Sequence, residues 1–310
     1  MKTFDEIYEE LQSGDNNELN QAWKEAEKER KKASNICKTI CLPIDILAII
    51  IILCSGAIFL IMPVLFINLF VIIIVNILFS KNTNSYNGKY KEIVVKKLMN
   101  NFYDNLEYFP NKEMPEYIYR NLRYEYYNKY RSDDYLEALI NNKNSIQMAE
   151  ILTQEEETYK DSDGHTKTRT ITKFHGLFAK IELDKSINTE LKITQNGGAF
   201  LSGKQLKMDS SEFEKHFDVQ ISDKILGMQL LTADVMQELV DFENNTKMKF
   251  DIFIKGNELY LRFHSGNMFE PTNIKKGPLD NNTTQKYFYM LNFTYNLSNR
   301  LIKLVNETEI

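Results

Sequence analysis

The chain has 310 residues and a formal net charge of -5, with 38 Lys and Arg against 43 Asp and Glu. That length suffices for one or two globular units of ordinary size. The acidic balance excludes the basic excess on which nucleic-acid binding rests, so no nucleic-acid partner is expected.

Residues 1–35 read as an N-terminal helical segment. Phe4, Ile7, Tyr8 and Leu11 fall on one face at i, i+3, i+4 and i+7. Ser13-Gly14-Asp15 interrupts the stripe, and Leu19, Ala22, Trp23 and Ala26 resume it. Trp23 is read as a packing residue rather than an interfacial anchor. From Ile46 to Phe79 no side chain is charged. A single straight helix over that stretch would be about 51 Å long against a hydrocarbon core of about 30 Å. Residues 36–80 are therefore predicted to form a two-helix transmembrane hairpin, Ile36 to about Gly56 and about Ile58 to Phe79, with Cys54-Ser55-Gly56 and Met62-Pro63 as the breaker candidates and one long kinked span as the alternative. Lysines and arginines crowd both flanks, among them Arg30, Lys31 and Lys32 before and Lys81, Lys89 and Lys91 after. Two positive flanks predict an integral membrane protein with both termini cytoplasmic, partnered by the lipid bilayer.

Asp45 is the one acid at this segment and a candidate site residue, since an intramembrane carboxylate is functional by default. The competing reading, a carboxylate at a helix start after Pro43-Ile44, is favoured. Cys37, Cys41 and Cys54 all lie in or beside the apolar run, so the remainder has no disulfide framework or thiol site.

Residues 85–130 are predicted to be the helical part of the following domain. Tyr90, Ile93, Val94, Leu98, Phe102 and Leu106 make an amphipathic helix, and Pro115 is placed to open another through Ile118, Leu122 and Tyr126. Eleven of the 17 tyrosines lie between Tyr86 and Tyr135 and are read as a core rim. Residues 131–275 have the texture of an α+β domain. Tyr135–Ile140 and Ser145–Leu152 form a hairpin about Asn141-Asn142-Lys143-Asn144, and Asp161-Ser162-Asp163-Gly164 turns into a long Thr-rich strand ending near Leu183. Two further short strands are expected around Leu191 and Ile193 and around Leu206 and Met208. Ser211 and Glu214 form a capping-box pair, and Thr232 caps another helix. Met248, Phe250, Ile252 and Ile254 alternate into Gly256-Asn257, and Leu259, Leu261 and Phe263 alternate out, which predicts a second hairpin. Residues 276–310 end in a helix from about Thr284 to Val305. Helices followed by strands and a mixed ending make the fold class α+β, a soluble domain with an N-terminal helix and a transmembrane hairpin.

Chemical motifs are thin. Gly198 to Gln205 has the spacing of a phosphate-binding P-loop, but Gln205 stands where Ser or Thr should hold magnesium and no helix follows at once. Asp161-Ser162-Asp163-Gly164 starts like a calcium loop, yet the position of its bidentate Glu is Thr172. The histidines His165, His175, His216 and His264 have no metal-ligand spacing. No catalytic, cofactor or metal residues are assigned. The candidates carried forward are Asp133, Asp134, His175, His264 and Asp45.

In order along the chain, several blocks resemble a bacterial membrane-protein family known as domain of unknown function 3137. They are Arg131-Ser132-Asp133-Asp134-Tyr135 with Met148-Ala149-Glu150, Phe174-His175-Gly176-Leu177-Phe178-Ala179, Met208 to Phe217, and Gly256-Asn257-Glu258-Leu259-Tyr260 with Phe269-Glu270-Pro271. The resemblance covers most of residues 85 to 275 and the paired apolar helices. It implies a bacterial plasma-membrane protein with a cytoplasmic α+β domain, and it implies no activity. The leading expectation is a membrane-tethered, non-enzymatic module, without cofactor, that binds a protein partner or small ligand. The alternatives are a membrane-associated hydrolase or transferase using Asp133, Asp134 and a strand histidine, and a homo-oligomer built through the hairpin with Asp45 inward. A pocket gathering His175, His264 and carboxylates would mark the enzyme. An exposed apolar patch without such a pocket would mark the binding module.

Overall fold

The computed structural model describes residues 1–14, 17–36, 38–39, 42–55, 61–160, 162–195, 205–271 and 274–308. The chain divides into two compact units, one of residues 2–95 with 270–285 and one of residues 96–269 with 286–310.

The first unit is helical. The N-terminal stripe forms α1 (Phe4–Ser13), capped by Thr3 in a reciprocal capping box with Glu6, and buries Ile7 and Leu11. In α2 (Asn17–Ile36) Leu19, Ala22 and Ala26 are buried, and the Trp23 indole N–H donates to the carbonyl of Ile274 at 2.7 Å. Trp23 is half-buried and bonded within this helical unit. The apolar run forms α3 (Leu42–Ser55) and α4 (Ile61–Tyr90), followed by a π-helical turn over Lys91–Val95. Lys91, 5 % exposed, pairs with Glu270 at 2.6 Å.

Here the transmembrane expectation is corrected. The fourteen residues of α3 rise about 21 Å, short of a hydrocarbon core of about 30 Å. α4 continues beyond the apolar run into polar sequence whose Tyr86 and Tyr90 are buried in the unit. Among the described residues no helix is long and apolar enough to cross a membrane. The hairpin, the membrane classification and the integral-membrane localisation with cytoplasmic termini fall together, and with them the transmembrane part of the fold class. What folds is a mixture of helices with one six-stranded antiparallel sheet. The predicted breaker Gly56 and residues 57–60 lie outside the described residues, as do Cys37 and Cys41.

The second unit holds the sheet. After α5 (Lys96–Met99), β1 (Asp104–Phe109) takes Leu106 out of the predicted helix and into a strand. Pro115 opens α6 (Glu116–Arg120) as expected. β2 (Lys129–Ile140) and β3 (Asn144–Lys160) form the predicted hairpin, and β4 (Thr166–Gln195) continues past Leu183 to include Leu191 and Ile193. Then come α7 (Ser211–His216), β5 (Phe217–Gln220), α8 (Lys224–Leu230), α9 (Ala233–Thr246), β6 (Phe250–Phe263) and α10 (Asn281–Glu307). The sheet order is β1-β2-β3-β4-β5, with β6 also paired to β4. The cap of α7 is Ser210, accepting from Phe213 N, one residue before the predicted Ser211. Thr232 caps α9 as read.

The second predicted hairpin is a single strand. Apolar residues occupy even positions from Phe250 to Ile254 and odd positions from Leu259 to Phe263, a change of phase that reads in sequence as a turn. In the fold β6 runs straight on beside β4. The change is absorbed by irregularities in β4 between Glu182 and Glu190 and by Gly256 at φ 59°, opposite Ile187. Tyr135, Phe174, Phe178, Phe253 and Tyr260 share a core cluster on one sheet face with Tyr119 of α6. Phe250 and Phe263 lie on the other and pack with Phe242 of α9 and Phe293 of α10, whose rings stack at 3.7 Å.

Candidate functional site

The same irregular stretch of β4 builds a cleft. Before it, β4 pairs with β3 and β6; beyond it, β4 pairs with β6 and β5. A bulged strand bends, and the space beside this bend is a cleft of about 800 Å³ between β4, β5 and the start of α8. Ile187, Leu206 and Ile221 supply apolar lining; Thr189, Glu190, Lys192, Gln220, Ser222 and Lys224 supply polar groups. The Thr189 and Ser222 hydroxyls are 2.5 Å apart. Glu190 accepts from Lys255 at 3.0 Å, and that hydrogen bond holds its carboxyl below the usual range. The amide nitrogen of Gln220 is buried without an acceptor. Gly227 lets α8 close on the cleft wall, since a Cβ there would lie 2.7 Å from Leu206 and 2.8 Å from Ile221. The P-loop-like residues 198–204 lie outside the described residues; Gln205 makes a single bridge to Gln220, and the next helix opens only at Ser211.

Two candidate acids come together with a third that sequence reasoning passed over. Asp133 and Glu150 are cross-strand neighbours on β2 and β3, and the register slips between Asp133 and Leu136. Asp134 takes φ 53° in that bulge and is fully buried. A carboxylate oxygen from each of Asp133, Asp134 and Glu150 lies within 4.8 Å of the others. The Tyr108 hydroxyl donates to Asp134. Glu150 Oε1 accepts from the backbone N–H groups of Met268 at 2.5 Å and Phe269 at 2.7 Å, whereas Oε2 has no partner. Burial, reinforced by the Asp134 charge, pushes the Glu150 carboxyl up to about 8. The available signal was its setting: an acid between Ala149 and Ile151 on a strand buried on both faces.

His175 and His264 bond to other partners. His175 is exposed, its Nε2 2.7 Å from Asn267 Oδ1. His264 pairs with Asp251 at 3.2 Å and meets the edge of Phe174 at 5.2 Å. Phe174 and His175 are consecutive on β4 and point to opposite faces, so the pair is divided by the sheet. Asp45 belongs to the helical unit, where Asn68 donates to it at 2.6 Å.

A further charged centre was also unforeseen. Arg262, fully buried, donates to Glu125 at 2.8 Å and lies 3.7 Å from Asp251. Its guanidinium sits 4.4 Å from the Phe174 ring centroid and 4.5 Å from that of Tyr124. Glu125 accepts additionally from Tyr119 and Thr153, both at 2.7 Å. The group is flanked by a cavity of about 280 Å³ lined by residues 119–120 and 122–127. A desolvated pair enclosed by rings and hydroxyls serves the core first.

Residues 172–303 match the model of a family described as protein of unknown function, DUF3137. Over that span, which is less than half of its length, the chain is similar to that family. The matched span starts later and ends later than residues 85 to 275, where the resembling blocks lie, and the family description carries no activity. The span contains the whole cleft, Arg262 and both strand histidines; Asp133, Asp134 and Glu150 precede it. No curated protein matches the chain. The crystal structure of the mycobacterial trehalose monomycolate transport factor A, TtfA, aligns over 67 % of this chain and 94 % of that one, at 8 % sequence identity and a TM-score of 0.38. A likeness of that degree carries no inference about fold or function.

Proposed function

We propose that the chain is a non-catalytic binding module whose cleft between β4, β5 and α8 takes a small polar ligand. The observation that carries this reading is the cleft itself. Its volume of about 800 Å³ falls within the range of about 300–1,000 Å³ typical of small-molecule sites. Apolar walls with a few converging polar groups suit a ligand of that size. The buried Gln220 amide without an acceptor calls for one, so the ligand carries a carbonyl or carboxylate oxygen. Amides, hydroxyls and lysines bind and orient; a nucleophile paired with a base is not among the described lining residues. The test is a thermal-shift screen of small carboxylates, amides and sugars on the full chain and on Gln220→Met. Compounds that stabilise the parent should lose about tenfold in affinity with the variant, the worth of about one buried hydrogen bond. Stabilisation that Gln220→Met and Lys224→Ala both leave intact would refute the reading.

A second reading, protein docking on α3 and α4, is favoured by one specific observation. Large apolar side chains from Leu42 to Ile77 are exposed over much of both helices, Leu53 by 79 % and Phe70 by 65 %. Surface of that extent marks an interaction site. Helices of a second copy would cover it, and sedimentation velocity across a concentration series should then show self-association that Phe70→Ser weakens. A detergent-free monomer at all concentrations would sink it.

A further inference from the structure

We propose that Asp133, Asp134 and Glu150 form a binding site for one hard divalent cation of the calcium or magnesium class. Two independent observations converge on it. The first is geometric: three carboxylates from adjacent strands each bring an oxygen within 4.8 Å of the others. Oxygen-only donors at such separations suit a hard cation, which takes carboxylate ligands at about 2.0–2.6 Å. The second is the state of Glu150, which is 2 % exposed and whose Oε2 has no hydrogen-bond partner. Its Oε1 is already fixed by two backbone donors, Met268 N and Phe269 N, so the carboxylate is held in place with one oxygen left over. A buried carboxylate oxygen without a partner is costly, and like charges directly opposite on antiparallel strands repel. A cation resolves both at once.

The surroundings support ligation. Tyr108 donates to Asp134 Oδ1 and orients that carboxylate as an outer-shell partner orients a metal ligand. The bulge aims Asp134 inward beside its neighbour, where regular alternation would send the two to opposite faces. Asp133 is only half-buried and gives a route from solvent. None of these residues lines the cleft, so the cation site stands or falls apart from the ligand reading.

The test is isothermal titration of the chelator-stripped full chain with calcium, magnesium and manganese chlorides, alongside Asp133→Asn, Glu150→Gln and Gln220→Met. One cation should bind per chain. Asp133→Asn and Glu150→Gln should each weaken it at least tenfold, and Gln220→Met should leave it unchanged. Circular dichroism checks the fold; should Glu150→Gln not fold, the half-buried Asp133→Asn decides alone. No binding of any of the three cations to the parent would overturn the proposal. So would parental affinity in Asp133→Asn, which would place the ion elsewhere.

Discussion

Replacing Glu150 by Gln should flatten a pH dependence that the parent chain shows. Burial of this side chain, with the Asp134 charge beside it, moves its carboxyl from an ordinary 4.5 up to about 8. The folded state therefore holds the proton more tightly than the unfolded chain. The stabilisation is fully present below about pH 4.5 and is lost as pH rises through about 8, because the unfolded state releases its proton first. Spread over that interval at about 1.4 kcal/mol per pH unit, the loss is on the order of 5 kcal/mol, a large share of the ~5–15 kcal/mol of a typical domain. Glutamine keeps the shape and cannot ionise. Urea melts of both proteins at pH 5, 6, 7 and 8, with chelator present throughout, measure the difference. The parent should lose stability relative to Glu150→Gln across the series. A constant difference between the two would refute the assignment of a proton to Glu150 and the burial argument behind it.

Arg262→Met should destabilise the fold by about 3–5 kcal/mol, since Glu125 and Asp251 lose their buried partner; a double-mutant cycle with Glu125→Gln should return a coupling of about 0.5–3 kcal/mol in urea melts. Gly176→Ala places a Cβ 1.8 Å from the Phe263 carbonyl oxygen, and the strand shift it forces should cost about 1–3 kcal/mol or more, read as a lower melting temperature. Phe293→Ala removes the ring stacked on Phe242 at 3.7 Å and should cost about 3–5 kcal/mol. Lys255→Ala, an exposed partner of Glu190, should cost under about 1 kcal/mol by the same melts.

Local signals in this chain survived folding, and signals that depend on strand phase did not. Thr232, Pro115 and the Ile7/Leu11 stripe occupy the positions that capping chemistry and the 3.6-residue period assign them, because each is decided within one helical turn. The β2–β3 hairpin is legible for the same reason. The phase change in β6 is ambiguous in sequence: a turn and a bulge both flip alternation, and only the pairing with β4 distinguishes them. The apolar run from Ile46 to Phe79 suggests crossing by its length, yet among the described residues no helix is long and apolar enough to cross a membrane. Site residues divide in the same way. Asp133 and Asp134 stand out as adjacent acids; Glu150 and Arg262 look like ordinary strand charges until the sheet buries them. Gly176 sits on β4 where another backbone, that of Phe263, approaches closely.

Crystallographic soaking of the full chain with a library of small carboxylates and amides tests the ligand site most directly. Fragments should settle in the cleft between β4, β5 and α8 with an oxygen at hydrogen-bond distance from Gln220 Nε2. Fragments that occupy only the cavity beside Glu125, or other surfaces, and leave this cleft to solvent would contradict a ligand site there.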